Sequence, residues 1–105
     1  MANGTIPVEK VRDNGGVFAL RDINPRAPTH VLIIPREHIP SMRDVGFEHA
    51  PLISDMFEMA NDLAIDLGVS ESGYRLTFNV GEDGGQSIYH LHLHLMGGAK
   101  LGPEA

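Results

Sequence analysis

Apolar positions recur along this chain with two different periods. Between Phe47 and Leu67 the step is three or four: Leu52, Ile53, Met56, Phe57, Ala60, Leu63, Ala64 and Leu67 fall on one face of a helix. Pro51 stands in its first turn, where a missing N–H costs little, and Gly68 follows as a C′ residue. Elsewhere the runs are short and β-prone. Val8 to Val11 and Gly16 to Arg21 predict two strands joined by a hairpin at Asp13-Asn14-Gly15-Gly16. The prolines of Asn24 to Thr29 predict a loop, and His30 to Pro35 (HVLIIP) a buried strand. Tyr74 to Val80 predicts a fourth strand, and Gly81 to Gln86 a glycine-rich turn. In the next stretch, SIYHLHLHL (Ser87 to Leu95), alternation puts Tyr89, Leu91, Leu93 and Leu95 on one strand face and His90, His92 and His94 on the other. Strands, one helix, then strands again predict an α+β fold with an antiparallel sheet. The helix should cover the leucine face and leave the histidine face open.

Composition narrows the class without naming a function. A chain of 105 residues makes one domain, spanning 1–105, and 42% hydrophobic with 21% charged residues fits a folded globular chain. No apolar run approaches the ~18 residues that span a bilayer, so no membrane partner is expected. The start, MANGTIPVEKV, has no basic segment followed by an apolar one, which makes the cytoplasm the expected location. Cysteine is absent, which excludes disulfides and thiolate metal sites. A net charge of −6, with no Lys/Arg cluster, disfavours a nucleic-acid partner. Any anion handled here is small and held by local donors.

Three readings compete for the histidines. A solvated face that happens to be His-rich fits poorly, because a one-residue register slip would bury all three imidazoles. A metal site is harder than it looks: at ~3.3 Å per residue His90 and His94 lie roughly 13 Å apart along a strand, whereas zinc wants its nitrogens within ~2.1 Å. No carboxylate or thiolate stands nearby at ligand spacing, so no metal is expected; no cofactor is expected either. Chemistry fits better. An unperturbed imidazole titrates near ~6.5 and is largely nucleophilic at neutral pH. A middle histidine flanked by two others can attack phosphorus while its neighbours donate to the oxygens. The preceding GEDGGQS adds backbone N–H groups at Gly84 and Gly85 and the hydroxyl of Ser87.

GEDGGQSIYHLHLHLMGG resembles the motif of the histidine triad (HIT) superfamily, and within it the Hint branch of purine nucleoside phosphoramidases. The stretches ALRDINPRAPTHVLIIPREHI and DLGVSESGYRLTFNVGEDGG resemble the same branch, and the similarity runs roughly from Ile6 to Gly98. The resemblance implies a five-stranded antiparallel sheet with one main helix, the sheets of two subunits joined across a homodimer. It implies that His92 is a nucleophile taking the nucleotidyl group as a covalent intermediate, with His90 and His94 orienting it and contacting phosphate oxygens. His30 matches a fourth histidine that supports the first of the triad, and Ser87 a residue bonding the leaving amine. Asp22 and Ile23 match positions contacting ribose hydroxyls and purine, and Asn79 and Gly85 positions near the phosphate, where Gly84 is read as a further backbone donor. The implied substrate is a purine nucleoside 5′-phosphoramidate, and no metal is implied.

Other classes remain open at this point. A nucleotide-binding regulatory or scaffold protein with little catalysis would use the same pocket; a dinucleoside polyphosphate hydrolase or a metal-binding protein fits less well, since GGQS is characteristic of Hint. Only MANGT precedes Ile6-Pro7 where the branch usually has more residues, and the tail AKLGPEA carries no Trp. Both differences bear on base affinity and leaving-group selectivity. His38 and His49 read as surface residues.

Overall fold

The computed structural model describes residues 10–103. Five strands form one antiparallel sheet: β1 (Lys10–Asp13), β2 (Val17–Arg21), β3 (Thr29–Pro35), β4 (Tyr74–Thr77) and β5 (Leu93–Gly97), in the order β1-β2-β3-β5-β4. One main helix, α1 (Ala50–Asp66), packs across β2, β3 and β5. The α+β architecture read from the apolar periods is the one observed. Among the described residues, no helix is long and apolar enough to cross a membrane.

The β1–β2 hairpin turns where Asp13-Asn14-Gly15-Gly16 predicts it. Asn14 Oδ1 accepts the N–H groups of Gly16 and Val17 at 3.0 and 2.8 Å, and Asp13 Oδ1 that of Gly15 at 2.8 Å. Side-chain acceptors thus satisfy donors that the chain reversal removes from the ladder. The Gly15 N–H, with Lys10 and then Arg36 beside it, holds the Asp13 carboxyl down at about 2. Val8 and Glu9, expected in the first strand, lie outside the described residues.

Helix α1 begins at Ala50, three residues after Phe47, because Pro51 in its first turn has no N–H to extend the ladder upstream. Phe47–His49 instead form a 3₁₀ turn closed by the His49 N–H on Gly46 O at 3.0 Å. At the far end Gly68 adopts a φ of +79°. Its N–H bonds Ile65 O at 3.1 Å and that of Val69 bonds Ala64 O at 2.9 Å, the paired bonds of a Schellman motif. Met56, Met59, Ala60, Leu63 and Ala64 are buried, while Phe57 sits partly exposed, edge-to-face with Phe78. Met59 joins the core although the predicted apolar face omits it.

Register decides which sheet face meets the helix. Ala19 pairs with Ile33, Ile33 with Leu93, Val31 with Leu95, and all five are no more than 1% exposed. The opposite face carries Leu20, Leu32, His30 and His94. Burying each core side chain contributes about 1.5–3 kcal/mol, so a slip of one residue would cost the whole layer.

Two strands are shorter than their alternation predicts. β4 ends at Thr77, which pairs with His94, and β5 begins only at Leu93. Ser87 to His92 leave the sheet because their backbone bonds elsewhere: the Leu91 N–H donates to Ile39 O at 2.7 Å. Leu91 stays in the core, but Tyr89, expected beside it, is 50% exposed. Alternation survives only where a neighbouring strand enforces it.

Candidate functional site

His94 is the one triad histidine in a regular strand. The expectation of an open histidine face fails here. Side chains of the flanking strands leave His94 only 6% exposed and His30 3%, while His90 and His92 are half-buried outside the strand. Burial, aided by the nearby His92 and His30, pushes the His94 imidazole down to about 4. His30 is also lowered, by burial first, with the Asp22 carboxylate opposing.

Hydrogen bonds assign the tautomers without ambiguity when the acceptors are followed in turn. The Arg26 backbone N–H donates to His30 Nδ1 at 3.1 Å, so neutral His30 carries its proton on Nε2. That Nε2–H faces His94 Nδ1 at 3.0 Å, and His94 therefore keeps its own proton on Nε2. Asp22 Oδ2 lies 3.4 Å from the same His30 nitrogen. His30 thus bonds the third histidine of the triad, correcting the expectation that it supports the first, because β3 pairs with β5 and sets His30 opposite Met96, beside His94. His92 Nδ1 lies 2.8 Å from His90 O, which can only accept. Its proton is on Nδ1, and the Nε2 lone pair is bare. The His92 and His94 rings meet edge-on, centroids 5.0 Å apart.

A carboxylate does join the histidines in space. Ligand atoms of Asp22, His30 and His94 all lie within 4.8 Å of one another, which corrects the sequence-spacing objection that none is near. The donor pattern nonetheless suits a proton network better than an ion. A cation would need His30 Nε2 bare, and His30 Nδ1 would then present an N–H to the Arg26 N–H that now donates to it.

The glycine turn is held from inside. Asn79 Nδ2 donates to Gly84 O at 2.8 Å, and a Cβ on Gly84 would meet Val80 O at 2.3 Å, so only glycine fits. Gly85, at φ +87°, gives its N–H to Glu82 O at 3.0 Å. The donor expected at Gly85 is therefore engaged within the turn, since the tight reversal consumes it. Ser87 and Ile23 are exposed, and Asp22 and Asn79 half-buried.

Two residues without a role in the sequence reading emerge from tertiary contact. Gln86 is buried, accepting the Gly81 N–H at 2.9 Å and donating to Pro40 O and Ile88 O at 2.7 and 3.1 Å. It staples the turn before Ser87 to the loop after β3. Gln86→Leu is expected to cost about 2–4 kcal/mol in urea unfolding, because three backbone partners, the Gly81 N–H among them buried, lose their bond at once; an unchanged midpoint would contradict this. His38 is the other: its Nδ1 lies 3.2 Å from His90 Nδ1. Its place in PREHIP offers no sequence signal, since its partner is 52 residues away.

The site is thus a central histidine whose Nε2 carries no proton, flanked by histidines whose protons are assigned by their neighbours, at one end of an antiparallel sheet. The chain belongs to the HIT domain family, which matches residues 3–101, and it is a HIT-type hydrolase. It is 47% identical over 98 residues to the purine nucleoside phosphoramidase of Escherichia coli (strain K12), covering 93% of this chain and 82% of that protein. An HIT-like protein of Chlamydia pneumoniae is 40% identical over 103 residues, 98% of this chain and 93% of the relative. Among solved structures, a HIT family hydrolase from Legionella pneumophila superposes with a TM-score of 0.94 at 45% identity, covering 100% of this chain and 95% of that one. A HIT family hydrolase from Clostridium thermocellum gives 0.90 at 43% identity, over 97% and 89% of the two chains.

Proposed function

We propose that the protein hydrolyses purine nucleoside 5′-phosphoramidates through a nucleotidyl-histidine intermediate, without metal or cofactor. The observation carrying this reading is the His92 Nδ1 contact with His90 O, 2.8 Å long, which leaves Nε2 as the free nucleophile. His92 Nε2 attacks the α-phosphorus and the P–N bond breaks. The departing amine takes one proton, relayed from solvent through the Ser87 hydroxyl. The nucleotidyl-imidazolium keeps its Nδ1–H on His90 O, which spreads the positive charge into the backbone. His94 Nε2–H, held by His30, donates to a phosphate oxygen. Water then attacks phosphorus and gives up one proton to solvent, restoring the one the amine took; the P–N bond to His92 breaks, His92 leaves with its lone pair, and nucleoside monophosphate is released.

Substrate contacts follow the same reading. Asp22 accepts the Asn24 N–H at 2.8 Å through Oδ1 and still has lone pairs for ribose hydroxyls. Ile23, 57% exposed, offers apolar surface to a purine. Asn79, Gly84 and Gly85 would bound the phosphate, with Gly84 and Gly85 shaping the turn, while His90, whose ring nitrogens face Pro35 O and His38, acts through its carbonyl on His92 instead of contacting phosphate oxygens. The deciding experiment is hydrolysis of an adenosine 5′-phosphoramidate bearing a fluorescent amine, with EDTA present, by wild type and His92→Ala. Turnover that disappears in His92→Ala supports the mechanism; no turnover by folded wild type, or equal rates, overturns it.

A homodimer with the two sheets joined is part of the proposal. Its support is that β4 forms one edge of the sheet, and that the partly exposed Phe57 meets Phe78, the residue that follows β4. Sedimentation should give twice the 11.4 kDa chain mass, and a monomer at micromolar concentration would refute it.

A further inference from the structure

We propose that His38 is a positioning residue of the histidine centre, clamping the His90 ring so that the His90 carbonyl keeps His92 Nε2 aimed outward. This rests on the phosphoramidase reading and adds a residue to it. His90 is held at both ring nitrogens. Its Nε2 lies 2.7 Å from Pro35 O, which can only accept, so the proton is there and Nδ1 is bare. His38 Nδ1 faces that bare nitrogen at 3.2 Å, with the rings edge-on and centroids 5.1 Å apart. Only a donor satisfies it, so neutral His38 carries its proton on Nδ1.

The loop bearing His38 is fixed to the triad segment by backbone. Ile39, 3% exposed, accepts the Leu91 N–H at 2.7 Å, and Pro40 O accepts Gln86 Nε2 at 2.7 Å. His38 is therefore presented at a constant distance although its own side chain is exposed. The consequence passes through His90 alone: its ring is clamped by Pro35 and His38, and its carbonyl accepts from His92 Nδ1–H at 2.8 Å. Without the His38 donor, one of the two ring contacts is lost. The residue is then anchored through its side chain by Pro35 alone, and the backbone that carries the tautomer-selecting carbonyl is held less firmly against His92.

The test compares wild type, His38→Ala and His38→Asn, the last placing an amide N–H donor near the lost Nδ1. Imidazole ¹⁵N–¹H spectra should show, in wild type, protonated Nε2 and hydrogen-bonded bare Nδ1 on His90, with protonated Nδ1 and bare Nε2 on His92. In His38→Ala the His92 ring should become a tautomer mixture, and in His38→Asn the wild-type pattern should return. With the phosphoramidate substrate, His38→Ala should lower kcat about five- to tenfold at unchanged KM, and His38→Asn should recover most of it. Unchanged His92 signals in His38→Ala overturn the proposal whatever the activity, as does a wild-type kcat in that variant. If wild type itself shows no turnover, the phosphoramidase reading fails and the spectra alone decide the role of His38.

Discussion

His92→Ala is expected to reduce nucleotidyl transfer by about 10³-fold or more while leaving the fold intact. The two effects separate because His92 contributes little to the packing around it. Among the described residues its hydrogen bond is Nδ1–H to His90 O, and losing one such partly buried bond costs about 1 kcal/mol. The networks on either side do not pass through it: His30 bonds His94 directly, and His90 is held by Pro35 and His38. Rapid quenching of wild type with substrate should trap a protein heavier by one nucleotidyl group, sensitive to acid and located on the peptide carrying His92. The variant should show neither adduct nor burst. An adduct that persists in His92→Ala would move the nucleophile elsewhere in the cluster.

The second large effect is on stability in acid. His94 sits in the fold at about 4, against an ordinary histidine value of 6.5, chiefly because burial disfavours its charged form. The unfolded chain therefore binds this proton between those two values while the folded chain resists it. Stability is fully present above pH 6.5, falls as the pH drops towards 4, and changes no further through this group below that. The loss is on the order of 3 kcal/mol, and the lowered His30 adds in the same direction. Urea unfolding at pH 7.5 and pH 5 should show it as a lower midpoint in acid. His94→Asn keeps an acceptor for the His30 Nε2–H but cannot titrate, so its midpoint should differ much less between the two conditions. Equal pH sensitivity in wild type and His94→Asn would place the acid lability in other groups.

Much of this was legible from the chain. The apolar face from Leu52 to Leu67 predicted the helix, since burial along a helix follows its own 3.6-residue period. The hairpin at Asp13-Asn14-Gly15-Gly16 was equally readable, because its hydrogen bonds are local, within four residues. Leu91, Leu93 and Leu95 entered the core as alternation requires. Alternation fails where its neighbours do not enforce it or add to it. Extended past the point where β5 has partners, it places Tyr89 in that layer, yet Tyr89 is 50% exposed. It places His94 on an open face, yet neighbouring strands bury it.

What the sequence determined by itself was chemistry of type and order: an α+β chain, acidic and cysteine-free, with three alternating histidines behind a glycine turn. Periodicity and turn residues act over a few positions, so they can be read without knowing the fold. What only the tertiary structure decided was which atom of each histidine carries a proton. That depends on the Arg26 N–H, Pro35 O and His90 O, and on pairs as distant in sequence as His30 with His94 and His38 with His90. A side chain's composition states which donors and acceptors it owns. Its reactivity depends on which of them its neighbours have already engaged, and those neighbours are chosen by strand order and register.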